Sequence, residues 1–212
     1  MNKILLIFPI TFFLFLLSLT SNAFAKTPIT DCTVISEPGE YYLANDIINS
    51  TAYACIEIQA NDVILDCQGH TIDGIYGISY YGIHIYRNSP TTTNITIKNC
   101  VLTDWYASIY LHNSNSNTLT NIVANSNTDY GLYLYYSDST LTNITTNFNN
   151  GYGIYLHPVI NGTLTNITAN YNDNGISIDA LNITLTNIIA NNNYIDGISI
   201  GTYYITATNI FS

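Results

Sequence analysis

Charge is what this sequence has least of. Only 8% of its 212 residues are Asp, Glu, Lys or Arg, and four basic residues stand against fourteen acidic ones. Binding nucleic acid requires a basic surface that neutralises phosphates, and four cations cannot build one. Met1 is the only methionine, so there is no soft thioether cluster of the kind cuprous copper prefers. The four Cys and four His contain no Cys-x-x-Cys pair and no group at zinc spacing, which argues against structural zinc. Ala is scarce and runs of good helix formers are missing, so extended helices are not expected. In their place are 19 Tyr, 7 Phe and a hydrophobic fraction of 47%, which a disordered acidic chain would not carry. The length suits a single domain.

The N-terminus has its own pattern. Lys3 precedes an apolar run over residues 4–19, shorter than the roughly 20 residues a spanning helix needs. Ala23 and Ala25 then supply the small residues of an A-x-A cleavage site. Residues 1–25 are therefore expected to be a secretory signal and residues 26–212 a single exported domain. No second long apolar run follows, so no transmembrane segment is expected after signal removal. In an oxidising compartment Cys32, Cys55, Cys67 and Cys100 are expected to form disulfides.

Self-comparison is the most informative test. TLTNI recurs at 118–122, 140–144, 163–167 and 184–188, and TATNI at 206–210. The Asn of each block is spaced by 22, 23, 21 and 22 residues, the period of a solenoid. Between the blocks lie GLYL at 131–134, GIYL at 153–156 and GISI at 175–178 and 197–200, each a short alternating strand with one face buried. Weaker copies at 55–58, 82–85 and 108–111 bring the total to about seven coils. Short strands joined by Asn, Gly and Asp turns point to a β-solenoid.

The recurring GIxL and NxI elements resemble the right-handed parallel β-helix repeat of the pectate-lyase-like superfamily. The opening, YYLANDI at 41–47 and CIEIQANDVILDCQGHTIDG at 55–74, is similar to NosD-like β-helix proteins and to surface β-helix proteins of archaea and bacteria. The resemblance implies an all-β right-handed parallel β-helix, with residues 31–74 as the N-terminal cap and first coils and 75–212 as the repeats. It does not fix an activity, since this fold carries lyases, hydrolases, epimerases and adhesins.

In such a fold equivalent residues of successive coils lie about 4.8 Å apart, so columns of the alignment become physical ladders. Two aliphatic columns are expected inside: Ile56, Ile83, Ile109, Leu132, Ile154, Ile176 and Ile198, and Ile58, Ile85, Leu111, Leu134, Leu156, Ile178 and Ile200. Asn99, Asn121, Asn143, Asn166, Asn187 and Asn209 are expected to form an amide ladder at a turn. The outward positions of the same strand carry Glu57, His84, Tyr110, Tyr133 and Tyr155 in one column and Gln59, Tyr86, His112, Tyr135 and His157 in the next. An exposed Tyr/His face suits stacking on sugar rings while phenol and imidazole groups bond hydroxyls. The competing expectation is that these rings only stack on one another to protect the sheet.

Cys67 and Cys100 are expected in the column later filled by Ile122, which pairs them and leaves Cys32 to Cys55; Cys32 bonding to Cys67 is the alternative. Six Asn-x-Ser/Thr sequons occur. Asn143 and Asn166 belong to the ladder, whereas Asn49, Asn94, Asn161 and Asn182 are expected in turns or irregular segments and are the better glycan acceptors.

A catalytic constellation is weak. Arg87, the only arginine, sits in a segment without carboxylates, which departs from the lyase and hydrolase patterns of the resembled superfamily. Asp129 and Asp173 are the nearest to a carboxylate pair, two coils or about 9.6 Å apart. His84 and His112 lie in adjacent columns, His112 and His157 are separated by Tyr135, and no metal or other cofactor is expected. The expectation is a non-enzymatic surface or secreted protein for adhesion or glycan binding, contacting cell-surface or extracellular polysaccharide through the Tyr/His face. The alternatives are a polysaccharide-active enzyme with an incomplete site and a structural spacer of a surface layer. The chain stops in mid-coil at Phe211-Ser212, as expected of a fragment of a longer repeat protein or of an open edge that self-associates end to end.

Overall fold

A computed structural model describes residues 25–77, 80–86 and 91–212, with only the backbone of Thr202. The expected signal, apart from Ala25, and Arg87 lie outside the described residues. Among the described residues the regular secondary structure is all strand, and every pairing is parallel, joining a strand to its equivalent in a neighbouring coil. The result is a parallel β-solenoid of about eight turns. The extra turn comes from the Thr33–Ile35 strand, which pairs Thr33 with Ile56 and Ile35 with Ile58 but carries no GIxL signature.

Two strand positions recur in every coil. The first holds the Tyr81–Tyr86, Ala107–His112 and Tyr130–Tyr135 strands, whose registers run Ile83, Ile109, Leu132 and Ile85, Leu111, Leu134. The second holds the Ile95–Thr103, Asn117–Asn125 and Ser139–Thr145 strands. In the last three coils the two positions join into the long Tyr152–Thr168, Asn174–Ile189 and Asp196–Phe211 strands. Ile and Leu from both positions fill the interior, and Ile83, Leu111, Leu134, Leu141, Leu164 and Ile188 have no exposed surface. No single coil could enclose such a core, so each depends on its neighbours.

The corners explain the Asn content. Asn99, Asn121, Asn143, Asn166, Asn187 and Asn209 all have φ between 55° and 57°, a left-handed conformation that Asn tolerates better than branched residues. Each donates its Nδ2–H to the Oδ1 of the preceding one at 2.8–3.0 Å, and Asn99 donates to Asp66 at 2.9 Å. A second corner passes through Ser126, Phe148, Tyr171 and Asn192, also left-handed. Just inside it lies a buried amide stack. Trp105 N–H bonds Asn127 Oδ1, Asn127 Nδ2 bonds Asn149 Oδ1 at 2.7 Å, and Asn149 Nδ2 bonds Asn172 Oδ1 at 2.9 Å. These amides satisfy one another and the corner backbone where water cannot reach.

Both disulfides staple the N-terminal coils, Cys32–Cys55 and Cys67–Cys100, with Cα separations of 4.4 and 4.8 Å. Cys67 and Cys100 do not share one column, however. Register places Asp66 opposite Lys98 and Thr71 opposite Val101, so the earlier coil holds two more residues at this corner. Cys67 precedes the left-handed Gln68, whereas Cys100 follows the left-handed Asn99.

Candidate functional site

The outward side of the first strand position is a sheet of rings. Tyr110 stands opposite His84 and Tyr133, and Tyr133 opposite Tyr155; His112 stands opposite Tyr86 and Tyr135. Strand spacing sets ring spacing. His84–Tyr110, Tyr110–Tyr133 and Tyr133–Tyr155 centroids are 5.3, 4.8 and 5.3 Å apart, and Tyr86–His112 and His112–Tyr135 are 4.9 and 5.1 Å apart. His157 continues the second column, 6.2 Å from Tyr135, and its Nδ1 meets Asp179 Oδ2 at 2.9 Å.

A third aromatic column was not apparent from the strand motifs. Tyr81, Tyr130 and Tyr152 are the first residues of their strands, each immediately before a Gly, and Tyr106 joins them from beside Ala107. Tyr81 stacks on His84 at 4.6 Å, Tyr130 on Tyr133 at 4.8 Å, and Tyr152 contacts Tyr155 at 4.9 Å. The repeated Tyr-Gly at 81–82, 130–131 and 152–153 was the available signal.

This extra column corrects one expectation. His84 is only 7% exposed, enclosed by Tyr53, Tyr81, Tyr86 and Tyr110, so it supports the face from below rather than presenting a free ring. Tyr86, Tyr110, His112, Tyr133, Tyr135, Tyr155 and His157 are partly exposed. Burial lowers the pKa of His84, with Glu57 opposing and His112 reinforcing the shift, and burial lowers that of His112. Desolvation and neighbouring phenols push the Tyr110 hydroxyl up to about 12 and raise those of Tyr81 and Tyr130 as well. With both of these imidazoles and the phenols uncharged at neutral pH, the face offers apolar ring surface edged by neutral donors and acceptors.

Beside its second column an apolar cleft of about 320 Å³ opens between Tyr136, Pro158, Val159, Ile160 and Leu181. A larger shallow groove of about 960 Å³ lies on the second strand position, lined by Asp138, Asn161, Asn182 and the Thr118 column.

Asp129 and Asp173 border the Tyr column. Gly151 lies between them: its N–H bonds the Asp129 carbonyl, and a Cβ there would fall on Asp129 Oδ1. Burial raises the Asp129 carboxyl, Tyr106 hydrogen-bonds it in the opposite sense, and the Asp173 charge raises it further. Among the described residues no three His, Cys, Asp or Glu side chains converge to hold a metal ion.

The sequon positions divide differently from expectation. Asn49 and Asn94 occupy left-handed turn positions, and Asn94 donates to Asp62 at 2.6 Å. Asn161 and Asn182, expected in irregular segments, lie inside long strands and face each other in register. Asn182 donates to Asn161 at 3.1 Å and Asn161 to Asp138 at 3.3 Å, forming another polar ladder. The three-residue sequon alone does not distinguish a turn from a ladder.

Comparison with known proteins agrees with this architecture. No curated protein matches the chain. Among solved structures it is similar to the full-length tailspike protein 2 of Escherichia coli O157:H7 bacteriophage CAB120, with a TM-score of 0.50 and 14% identity. That match covers 87% of this chain and 35% of the tailspike, and the likeness is one of fold. Residues 19–179 and 81–211 match the family described as right handed beta helix region, and the chain belongs to that family.

Proposed function

We propose that this is an exported, non-enzymatic β-helix protein that contacts cell-surface or extracellular polysaccharide through its Tyr/His face. The carrying observation is the three-column array of partly exposed rings, spaced and held in register by the solenoid. Sugar rings present apolar C–H faces rimmed by hydroxyls, and such an array can stack on the former while its phenols bond the latter. Rings held by stacking lose little further freedom when a ligand arrives. Two disulfides support residence in an oxidising, extracytoplasmic compartment, and Asn49 and Asn94 are the acceptors whose turn geometry best suits glycosylation.

A glycan array tests the reading. The purified chain should show saturable binding to a restricted glycan class, and Tyr110→Ser/Tyr133→Ser should lose it while keeping its melting temperature within a few degrees. No binding across a broad array would remove the proposal and leave the structural-spacer alternative.

The second reading, a polysaccharide-active enzyme, rests on Asp129 and Asp173 beside the Tyr column. Reducing-sugar release from a bound polysaccharide, abolished by Asp129→Asn, would establish it; release unaffected by that substitution would dismiss the pair.

A further inference from the structure

The second strand position carries a different outward surface. Thr118, Thr140, Thr163, Thr184 and Thr206 stand in one unbroken register, and Thr120, Thr142, Thr165, Thr186 and Thr208 in a parallel one. Between the two ranks the inward Leu119, Leu141, Leu164 and Leu185 anchor the strands in the core. No bulge interrupts either rank; the register shift in this sheet falls between Leu156 and Val159, outside them. Among the described residues none of these ten hydroxyls bonds a protein group, and on one side they are bordered by the Asn corner ladder.

Strand geometry sets the lattice of this array: about 4.8 Å between coils and about 6.6 Å between the two Thr of a coil. The inter-coil repeat is close to one oxygen repeat on the faces of hexagonal ice, and the Thr side chains span the wider one from two neighbouring ranks. Thr is stiff at χ1, so each position presents a hydroxyl and a methyl in a narrow range of directions. A regular grid of that kind can hold water in an ordered layer, the methyls occupying gaps while the hydroxyls join the hydrogen-bond lattice. Generic solubility does not call for it: Ser, Asn, Asp or Lys would serve equally, yet all ten positions are Thr and none carries charge.

We infer that this Thr array is an ice-binding surface, its ligand being crystalline water. It is separate from the Tyr/His face and does not depend on the glycan reading. The Thr118 rank itself forms part of the groove wall with Asn161 and Asn182, so the lattice continues into that groove on one side.

The test is thermal hysteresis of the purified chain, together with incorporation of the fluorescently labelled chain into a slowly grown ice hemisphere. The chain should enter the ice and open a gap between melting and freezing points. Thr142→Tyr/Thr165→Tyr, which keeps strand-forming side chains but breaks the lattice mid-array, should lose both properties at an unchanged melting temperature. Thr184→Lys serves the same purpose should the paired variant fail to fold. Tyr194→Ser, at an 86% exposed side chain away from the array, should retain both. Exclusion of the wild type from ice with no hysteresis overturns the inference, as does full activity in the Thr variants or loss in Tyr194→Ser.

Discussion

From Asn99 onward each coil passes this corner through one asparagine, and that residue does two things. Asn143 adopts φ 55° and links its amide to Asn121 and Asn166. Asn143→Ala should therefore cost about 1–2 kcal/mol, from the left-handed backbone and the broken ladder together. Asn143→Gly, which removes the backbone penalty but not the lost bonds, should cost less; chemical denaturation of the two variants measures the difference. His84 gives a pH prediction. Burial depresses its folded pKa below the unfolded value of about 6.5, so the unfolded chain takes up the proton first. Stability should be complete above that value and decline as pH falls from it toward the folded pKa. His84→Gln should flatten that part of a melting-temperature profile between pH 7.5 and 5. The Asn ladder was legible in sequence because one residue type recurs at one interval. The burial of His84 was not, because two of the four rings that enclose it, Tyr53 and Tyr81, come from outside the four-residue strand motif.

At the scale of the strand and corner, close packing of successive coils limits what the backbone can carry. A Cβ on Gly153 would lie 2.6 Å from the Gly175 carbonyl, 2.7 Å from Thr146 Oγ1 and 2.8 Å from Asn172 Nδ2. Gly153→Ala should thus destabilise by about 1–3 kcal/mol through displaced backbone and a disturbed amide stack, measurable by denaturation with urea. The strand segment that follows this glycine was apparent from alternation alone. The buried Asn127, Asn149 and Asn172 stack was not, since these residues sit in Asn-rich corner segments where inward and outward amides look alike in sequence. The offset of Cys67 and Cys100 was likewise hidden: the two additional residues between Asp66 and Thr71 become visible only when both flanking registers are known. Their bridge closes a separation of 33 residues, and its removal by Cys67→Ser/Cys100→Ser should cost about 2–4 kcal/mol.

For the molecule as a whole, a short period produces long surfaces. A residue repeated about every 22 positions becomes a column, and the columns differ in chemistry: aliphatic inside, amide at the corners, aromatic outside one strand position and Thr outside the other. The parallel solenoid and its two core columns followed from the repeat, while the function of the outer columns could not, because the same spacing serves a structural ladder and a ligand platform equally well. The central claim is that the rings of the Tyr/His face touch carbohydrate. Saturation-transfer difference NMR tests it directly, by irradiating aromatic protons of the chain in the presence of a glycan found to bind. The account predicts transfer to the C–H protons on one face of the sugar ring, lost in Tyr110→Ser/Tyr133→Ser. Transfer of equal strength in that variant, or its absence in the wild type under conditions of demonstrated binding, would contradict it.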